Sequence, residues 1–556
     1  MLSTVLQAAV IVFLFLLTLL SVKNRWSQAD LLLVRMLPPI CIIGVIALLL
    51  SKEKIHLTVA DLLLILFAVY YGFHSCNEAK YPCDTQCLKF AEIVLLYFVL
   101  RLLFSSGKVS QRAMVMLLLL CGSIEAIWGI VQLAGGGNRA QSYLISGNFL
   151  NPGPYSAYLS ICAVTGLSVL ANIKKKKIVF LVVILMLAVI PTTWSRAAIV
   201  SVCLPLLWIF KEKYYKYRFV VWGIIVMFAF AFYYLKKGSA DGRLVTWTAT
   251  LLSWKHYPLF GVGTGGFAHS CSEGIAEMYK NQIIPFLLDS AGVAENSFNI
   301  FLKILVEQGV VGLILFVALL VVFLKGLFLY SRTLFYGILV LLIFSLFSYP
   351  LELLPYRIIA VIIVAWSESG RGKTLYISGT IVFPILISIM TIITGFFLRT
   401  ETYNRFVADN EAKLLSCQKG EDLIDDYYDL LSLEEDNPQF LYDFAVALSE
   451  NGRYNESNEI LVNGSKVSAD PMYYVMIGNN YFSMNQPDEA EKAYRKAFEV
   501  LPNRIYPLYQ LMQLYSNTDQ NGKAAVIAKE IVDFMPKVVS PATTEIKTKA
   551  KLLLSK

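Results

Sequence analysis

The sequence predicts an all-α protein: a polytopic membrane helical bundle followed by a soluble helical-repeat domain. Three observations carry that prediction. Hydrophobic residues make up 57% and charged residues 16% of the 556 positions, and mean hydropathy is +0.60, a balance foreign to soluble globular chains. Thirteen apolar runs approach the roughly 20 residues that cross a bilayer, at about 4–20, 31–50, 58–73, 88–104, 113–134, 155–172, 178–193, 197–210, 219–235, 298–324, 333–348, 356–366 and 374–397. From Glu401 onward acidic and polar residues rise, apolar residues become periodic, and segments recur every 33 to 34 residues.

Within the membrane part, 197–210 and 356–366 are short, and 298–324 is long enough for an interfacial helix followed by a span. The first run is expected to stay on the protein, because no small-residue cleavage pattern follows it and further spans do. Orientation follows from the excess of Lys and Arg in short cytoplasmic loops. With the N-terminus inside, the basic clusters Lys52 and Lys54, Lys108 and Arg112, Lys174 to Lys177, Lys211 to Arg218, Lys325 and Arg332, and Arg371 and Lys373 share one side. The opposite loops are longer and less basic. The polar stretch 236–297 and everything after about Leu398 then face outward. The expected domains are 1–398 in the membrane, a helical linker at 399–434, repeats at 435–540 and a tail at 541–556. The net charge of +8 reflects this topology, and no basic arm with interleaved aromatics points to nucleic acid.

Cys76, Cys83 and Cys87 share the loop after the third run, where an oxidising compartment would allow one disulfide. Three leave one over, and Cys271 is a possible partner; the connectivity stays open. A metal site is the weaker reading, since no His beyond His74 stands at ligand spacing. Arg35, Asp61, Glu92 and Glu125 fall inside apolar runs, where charges face protein or water. Pairing between helices accounts for them, and lining of a lipid groove is the other use for Glu92 and Glu125. Gly261, Gly263, Gly265 and Gly266 lack the following Lys-Ser/Thr and the strand–helix setting of a phosphate loop. A tight turn with close backbone packing explains them.

In the C-terminal part, Gly452-Arg-Tyr-Asn-Glu-Ser457 aligns with Gln486-Pro-Asp-Glu-Ala490 and Gly522-Lys-Ala-Ala525, and Leu501-Pro502 recurs as Met535-Pro536. With Gly478-Asn-Asn-Tyr481, Ala490, Ala493-Tyr494, Ala497-Phe498 and Pro502 at the small, aromatic and proline positions, the region resembles tetratricopeptide repeats. About three such units stack into a small solenoid, either a binding surface for a protein or glycan or a packing module without its own ligand.

The membrane part carries Gly147-Asn-Phe-Leu-Asn-Pro-Gly-Pro-Tyr-Ser-Ala157, Thr193-Trp-Ser-Arg-Ala-Ala198 and Gly242-Arg243 with Trp247. It continues with Pro258-Leu-Phe-Gly-Val-Gly-Thr-Gly-Gly-Phe267, Ala294-Glu-Asn-Ser297 and Glu307-Gln-Gly309-Val-Val-Gly312. Taken in order, over roughly residues 85–350, these resemble the superfamily of O-antigen ligases, O-antigen polymerases and bacterial protein O-oligosaccharyltransferases. The resemblance implies a GT-C-like membrane fold in the bacterial inner membrane, with the loop 236–297 and the C-terminal domain periplasmic. It implies transfer of a glycan from an undecaprenyl diphosphate carrier to lipid A core, to a protein Ser/Thr or to a growing chain, without cofactor or metal.

A departing lipid diphosphate builds negative charge on phosphate oxygens, which fixed guanidinium groups stabilise through bidentate hydrogen bonds. Arg196 and Arg243 stand where the family places its functional arginines. The plainer accounts are a snorkelling Arg at a span end for Arg196 and a solvated loop charge for Arg243. Family members usually carry His before the Asn that precedes the Glu-x-Gly-x-x-Gly helix, and here that position is Glu295. A carboxylate serves as general base when burial lifts its pKa; otherwise Glu295 suits a helix N-terminus with Asn296 or Ser297 as cap. His256 and His269 in the same loop are alternative bases. A glycolipid flippase is the competing class, expected to show inverted repeats and charges along several spans.

Overall fold

The structure is a computed structural model that describes the chain apart from residues 1, 21–24, 52–56, 78–83, 106–108, 137–142, 150, 171–176, 212–214, most of 220–236, 371–381, 419, 421–422, 538 and 556. The apolar helices run Leu2–Leu17, Gln28–Ser51, Val59–Asn77, Asp84–Ser105, Gln111–Ala134, Pro152–Leu170, Lys177–Val189, Arg196–Ile209, Ile300–Tyr330, Arg332–Ser345, Leu354–Gly370 and Val382–Leu415. Each falls on one of the apolar runs; the run at 219–235 lies almost wholly outside the described residues. Among the described residues four helices, Gln28–Ala47, Gln111–Ala134, Pro152–Leu170 and Ile300–Tyr330, are long and apolar enough to cross a membrane. This is a helical membrane protein.

Helix Pro152–Leu170 forms the centre of the bundle. It is 78% buried and packs against helices Gln111–Ala134, Lys177–Val189, Arg196–Ile209 and Arg332–Ser345. Its small buried residues Ser156, Ala157, Ser160 and Ala163 allow the close approach that helices in lipid depend on. Inside the apolar runs, Asp61, Glu92 and Glu125 are held by protein. Arg101 donates to Asp61 at 2.8 Å, and Tyr97 adds a bond of 2.6 Å to the same carboxylate. Thr402 donates to Glu92 at 2.9 Å and Asn148 to Glu125 at 2.8 Å. Arg35 is exposed, 6.0 Å from the ring centre of Tyr403.

Helix Ile300–Tyr330 is broken at Gly309, whose φ of 65° and ψ of −169° are not helical. The run at 298–324 therefore divides into two pieces. The loop Pro258–Gly263 fills the break: Val262 N–H donates to Val306 O at 2.9 Å and Gly263 N–H to Glu307 O at 3.0 Å. In return, Val310 N–H and Val311 N–H donate to Pro258 O and Leu259 O. Glycine is required on both sides, because a Cβ at Gly309 would lie 2.1 Å from Leu259 O and one at Gly261 only 2.6 Å from the backbone of Glu307. The glycines are a packing device, as their sequence context indicates.

The polar stretch folds into helices Lys237–Trp254, Phe267–Lys280 and the short Pro285–Leu288, around a core of Val245, Ala249, Phe267, Cys271, Ile275 and Met278. Cys271 is a buried free thiol, so it is not the partner of a disulfide with the earlier loop. Cys87 likewise forms no disulfide, while the side chains of Cys76 and Cys83 lie outside the described residues.

The boundary expected at 398/399 is not a break: a single helix, Val382–Leu415, runs through it. Beyond it, helix pairs follow with period 33 to 35, the first members starting at Pro438, Met472, Tyr506 and Pro541 and the second at Tyr454, Pro487 and Asn521. The expected tail is instead helix Pro541–Leu554, opened by a Ser540–Thr543 capping box. Its Ile546 and Ala550 are buried in the core of the preceding pairs. The helix pairs pack on the polar loop. Leu501 enters the loop's core, Tyr279 and Phe498 meet edge to face at 5.5 Å, and Asn503 donates to Ala291 O at 2.7 Å. Near the linker, Arg25 pairs with Glu434 at 2.9 Å and with Asp436, which also accepts from Thr85 N–H at 2.9 Å. These contacts bring the loops after the first and third apolar runs, the large loop and the C-terminal region together.

Candidate functional site

Helix Lys237–Trp254 turns Asp241, Val245 and Ala249 inward and presents Ser239, Arg243 and Trp247, spaced i, i+4, i+8, along another face. Arg196 comes to this face from the first turn of helix Arg196–Ile209, whose N-cap Ser195 accepts from Ala198 N–H at 3.3 Å. Its guanidinium donates to Ser239 Oγ at 3.2 Å, one turn from Arg243. Burial, and then the charge of Arg196, pull the Arg243 guanidinium down to about 10. Among the described residues no carboxylate forms an ion pair with Arg243. Two guanidinium groups held together with no acid pairing Arg243 form a site for an anion.

The loop carrying Glu295 lies against the same face. Trp247 Nε1–H donates to Ser297 O at 3.1 Å, and Arg243 stands 5.4 Å from the ring centre of Phe298. Phe298 has φ 53° and Trp194, just before Arg196, has φ 52°. Such left-handed conformations in non-glycine residues cost about 1–3 kcal/mol each and concentrate at functional sites. Glu295 itself is exposed and precedes the helix. The helix cap is Asn299, which accepts from Phe301 N–H at 3.0 Å and Leu302 N–H at 3.3 Å. The capping roles expected of Asn296 and Ser297, and a helix-terminal role for Glu295, are therefore corrected. Ser297 instead donates to Asn299 O at 2.6 Å, and Asn296 is half-buried in the loop.

Three neighbours were not singled out by sequence reasoning. Phe298 meets Tyr349 at 5.8 Å, edge to face, and the Asn151 amide donates to the Tyr349 hydroxyl. Asn151 is held in place from within the bundle. Gln132 Oε1 accepts from Ser146 N–H at 3.0 Å and Gly147 N–H at 2.9 Å, and Glu125 binds Asn148, so this loop is tied down before it reaches Asn151. The Asn-Pro-Gly at 151–153 was a visible helix-start signal, whereas Tyr349 follows an apolar run with no motif around it.

His256 and His269 lie elsewhere. His256 is 3.2 Å from Glu277 and His269 Nδ1 is 2.9 Å from Ser465 O; both line a cavity of about 730 Å³ that also includes Ser253. Ser253 is ten residues along the helix from Arg243, about 15 Å at 1.5 Å per residue. The structure thus joins Arg196, Arg243 and the Glu295 loop and sets both histidines apart.

Fold and site define a helical membrane protein with a paired-arginine anion site beside a large polar loop. Residues 155–317 match the family model described as O-Antigen ligase, which supports the O-antigen ligase superfamily and glycosyltransferase-type activity in general. The match spans Arg196, Arg243, Glu295 and both loop histidines but neither Asn151, Tyr349 nor the C-terminal helix pairs. No match was found among curated proteins.

Proposed function

We propose that this protein is a ligase-like glycosyltransferase. It moves a glycan from an undecaprenyl diphosphate carrier to an acceptor hydroxyl of lipid A core or of a protein Ser/Thr, on the periplasmic face of the bacterial inner membrane. The observation that carries the reading is the Arg196–Arg243 pair, two cations beside Ser239 with no carboxylate paired to Arg243. In the reaction the acceptor oxygen attacks the anomeric carbon, the bond from that carbon to the carrier phosphate breaks, and the diphosphate leaves with the electron pair. The two guanidinium groups take up the charge that develops on it. Glu295, on the loop against the arginine face, accepts the hydroxyl proton as general base. The C-terminal pairs, read as tetratricopeptide-like repeats, hold an acceptor or assembly partner against the loop.

The test is reconstitution of purified protein in liposomes with undecaprenyl diphosphate-linked glycan and, separately, lipid A core and a Ser/Thr-containing protein. Glycosylation of one acceptor by the wild type, and none by Arg196→Ala or Arg243→Ala, supports the reading. Wild-type transfer that persists in both variants removes the arginine pair from the site.

A further inference from the structure

The cavity at the far end of helix Lys237–Trp254 has no part in the chemistry just described, and its lining differs in kind from the arginine site. Its one lysine is already matched. Glu273 pairs with Lys496 at 2.6 Å and Lys280 with Glu499 at 2.9 Å, while Glu277 stands 3.2 Å from His256. With Lys280 neutralised by Glu499, the lining offers no net positive charge to a phosphate. What it does offer is hydrogen-bonding capacity, in the second oxygens of Glu273 and Glu277 and the amide of Asn281. Beside them stands the ring of Tyr257, 44% exposed. At about 730 Å³ the cavity has the size of a small-molecule site, in the range of 300–1,000 Å³.

An aromatic face with carboxylate and amide acceptors and no net cation suits an uncharged polyhydroxyl ligand. We propose that this cavity is a distal saccharide subsite, which binds sugar residues beyond the one that reacts at the arginine pair. The inference rests on the glycosyltransferase reading for its role, though the ligand class follows from the lining. The separation of about 15 Å along the helix divides the work. The diphosphate end belongs to Arg196 and Arg243, and the glycan runs along the helix toward Tyr257. The C-terminal helix pairs brace this lining from behind, since Lys496 and Glu499 of one helix pair with Glu273 and Lys280 and His269 meets Ser465 O. Their docking on the loop then has a purpose in glycan selection as well as in stability.

The experiment uses full-length protein in detergent and two probes: the free glycan released by mild acid from the producing cells' own lipid-linked saccharide, and inorganic pyrophosphate. Binding of each is measured by calorimetry for the wild type, Tyr257→Ala, Glu277→Gln and Arg243→Ala, with unchanged circular dichroism required of every variant. Tyr257 and Glu277 are both accessible, so neither substitution empties a core. The expected result is at least tenfold weaker glycan binding in Tyr257→Ala and Glu277→Gln and no change in Arg243→Ala, with pyrophosphate showing the reverse pattern. Glycan binding that is unaffected by the cavity substitutions, or is lost in Arg243→Ala alone, overturns the subsite, as does absence of saturable wild-type binding at millimolar glycan. Failure of the transferase reading is seen separately, as absence of carrier diphosphate release on reconstitution, and leaves the binding pattern untouched.

Discussion

Replacing Arg243 by Gln should abolish transfer and at the same time make the ligand-free protein more stable. The Arg243 side chain is mostly buried beside another cation, and burial and Arg196 together hold it down to about 10. At 1.36 kcal/mol for each tenfold change in proton affinity, the charged form is disfavoured by about 3 kcal/mol, and solvent screening of this partly exposed pair reduces that to about 1–2 kcal/mol. The folded-state value lies below the unfolded one, so the cost is present in full at neutral pH and is relieved only as pH rises above 10. Glutamine keeps much of the stem and removes the charge. The assay is the apparent melting temperature in detergent with and without pyrophosphate. Arg243→Gln should melt about 1–3 °C higher than wild type, and pyrophosphate should raise the wild type toward it, because a ligand that binds only the folded state stabilises it. A variant that melts several degrees lower would show that Arg243 is held by structural contacts, and the reasoning from uncompensated charge would fail.

Glu295→Gln should lose transfer at least 100-fold while Glu295→His keeps a measurable rate, read as glycosylated acceptor per minute; full activity of the Gln variant removes Glu295 as base. Arg25→Ala should lower stability by about 3 kcal/mol, because it leaves Glu434 and Asp436 buried without their main cation, with Arg405 still 3.8 Å from Asp436. Limited proteolysis after 415 would detect the released C-terminal region. Burial raises the Asp436 pKa, but the Arg25 charge and hydrogen bonds from Arg25 and Thr85 outweigh it and hold the carboxyl below its ordinary range. Its contribution is therefore present above about pH 4 and lost as pH falls further, which acid titration of the same proteolysis assay would follow. Gly309→Ala should cost at least 2 kcal/mol through its positive φ and the contact with Leu259 O, and folded yield in the membrane fraction would report it.

Apolar runs were the most legible part of the sequence, because crossing lipid demands length and hydrophobicity that few other needs impose. The repeat period was equally plain, since each helix pair must bury the same face against its neighbour. What the sequence did not disclose is where one unit ends: apolar character stops near Leu398, but helical hydrogen bonding has no reason to stop with it and continues to Leu415. Arg196 and Arg243 stood out in the sequence only through the motifs around them, which resemble a family that places arginines there; position alone reads equally as a snorkelling span end or a solvated loop charge. Phe298 and Tyr349 did not stand out, since an aromatic near a span end is ordinary and only their contact with Arg243 and Asn151 gives them a place. Asn299 outcompeted Asn296 and Ser297 as cap because the left-handed turn at Phe298 delays the start of the helix, a backbone choice that residue identity leaves open.

The central claim is that the arginine pair holds a diphosphate while its bond to the glycan is broken. The most direct test counts products in proteoliposomes, measuring undecaprenyl diphosphate released and glycan attached to acceptor in the same time course. The account predicts one carrier diphosphate for each glycan transferred, with both products lost together in Arg196→Ala and Arg243→Ala. Intact glycolipid moving between leaflets with no diphosphate released would contradict it.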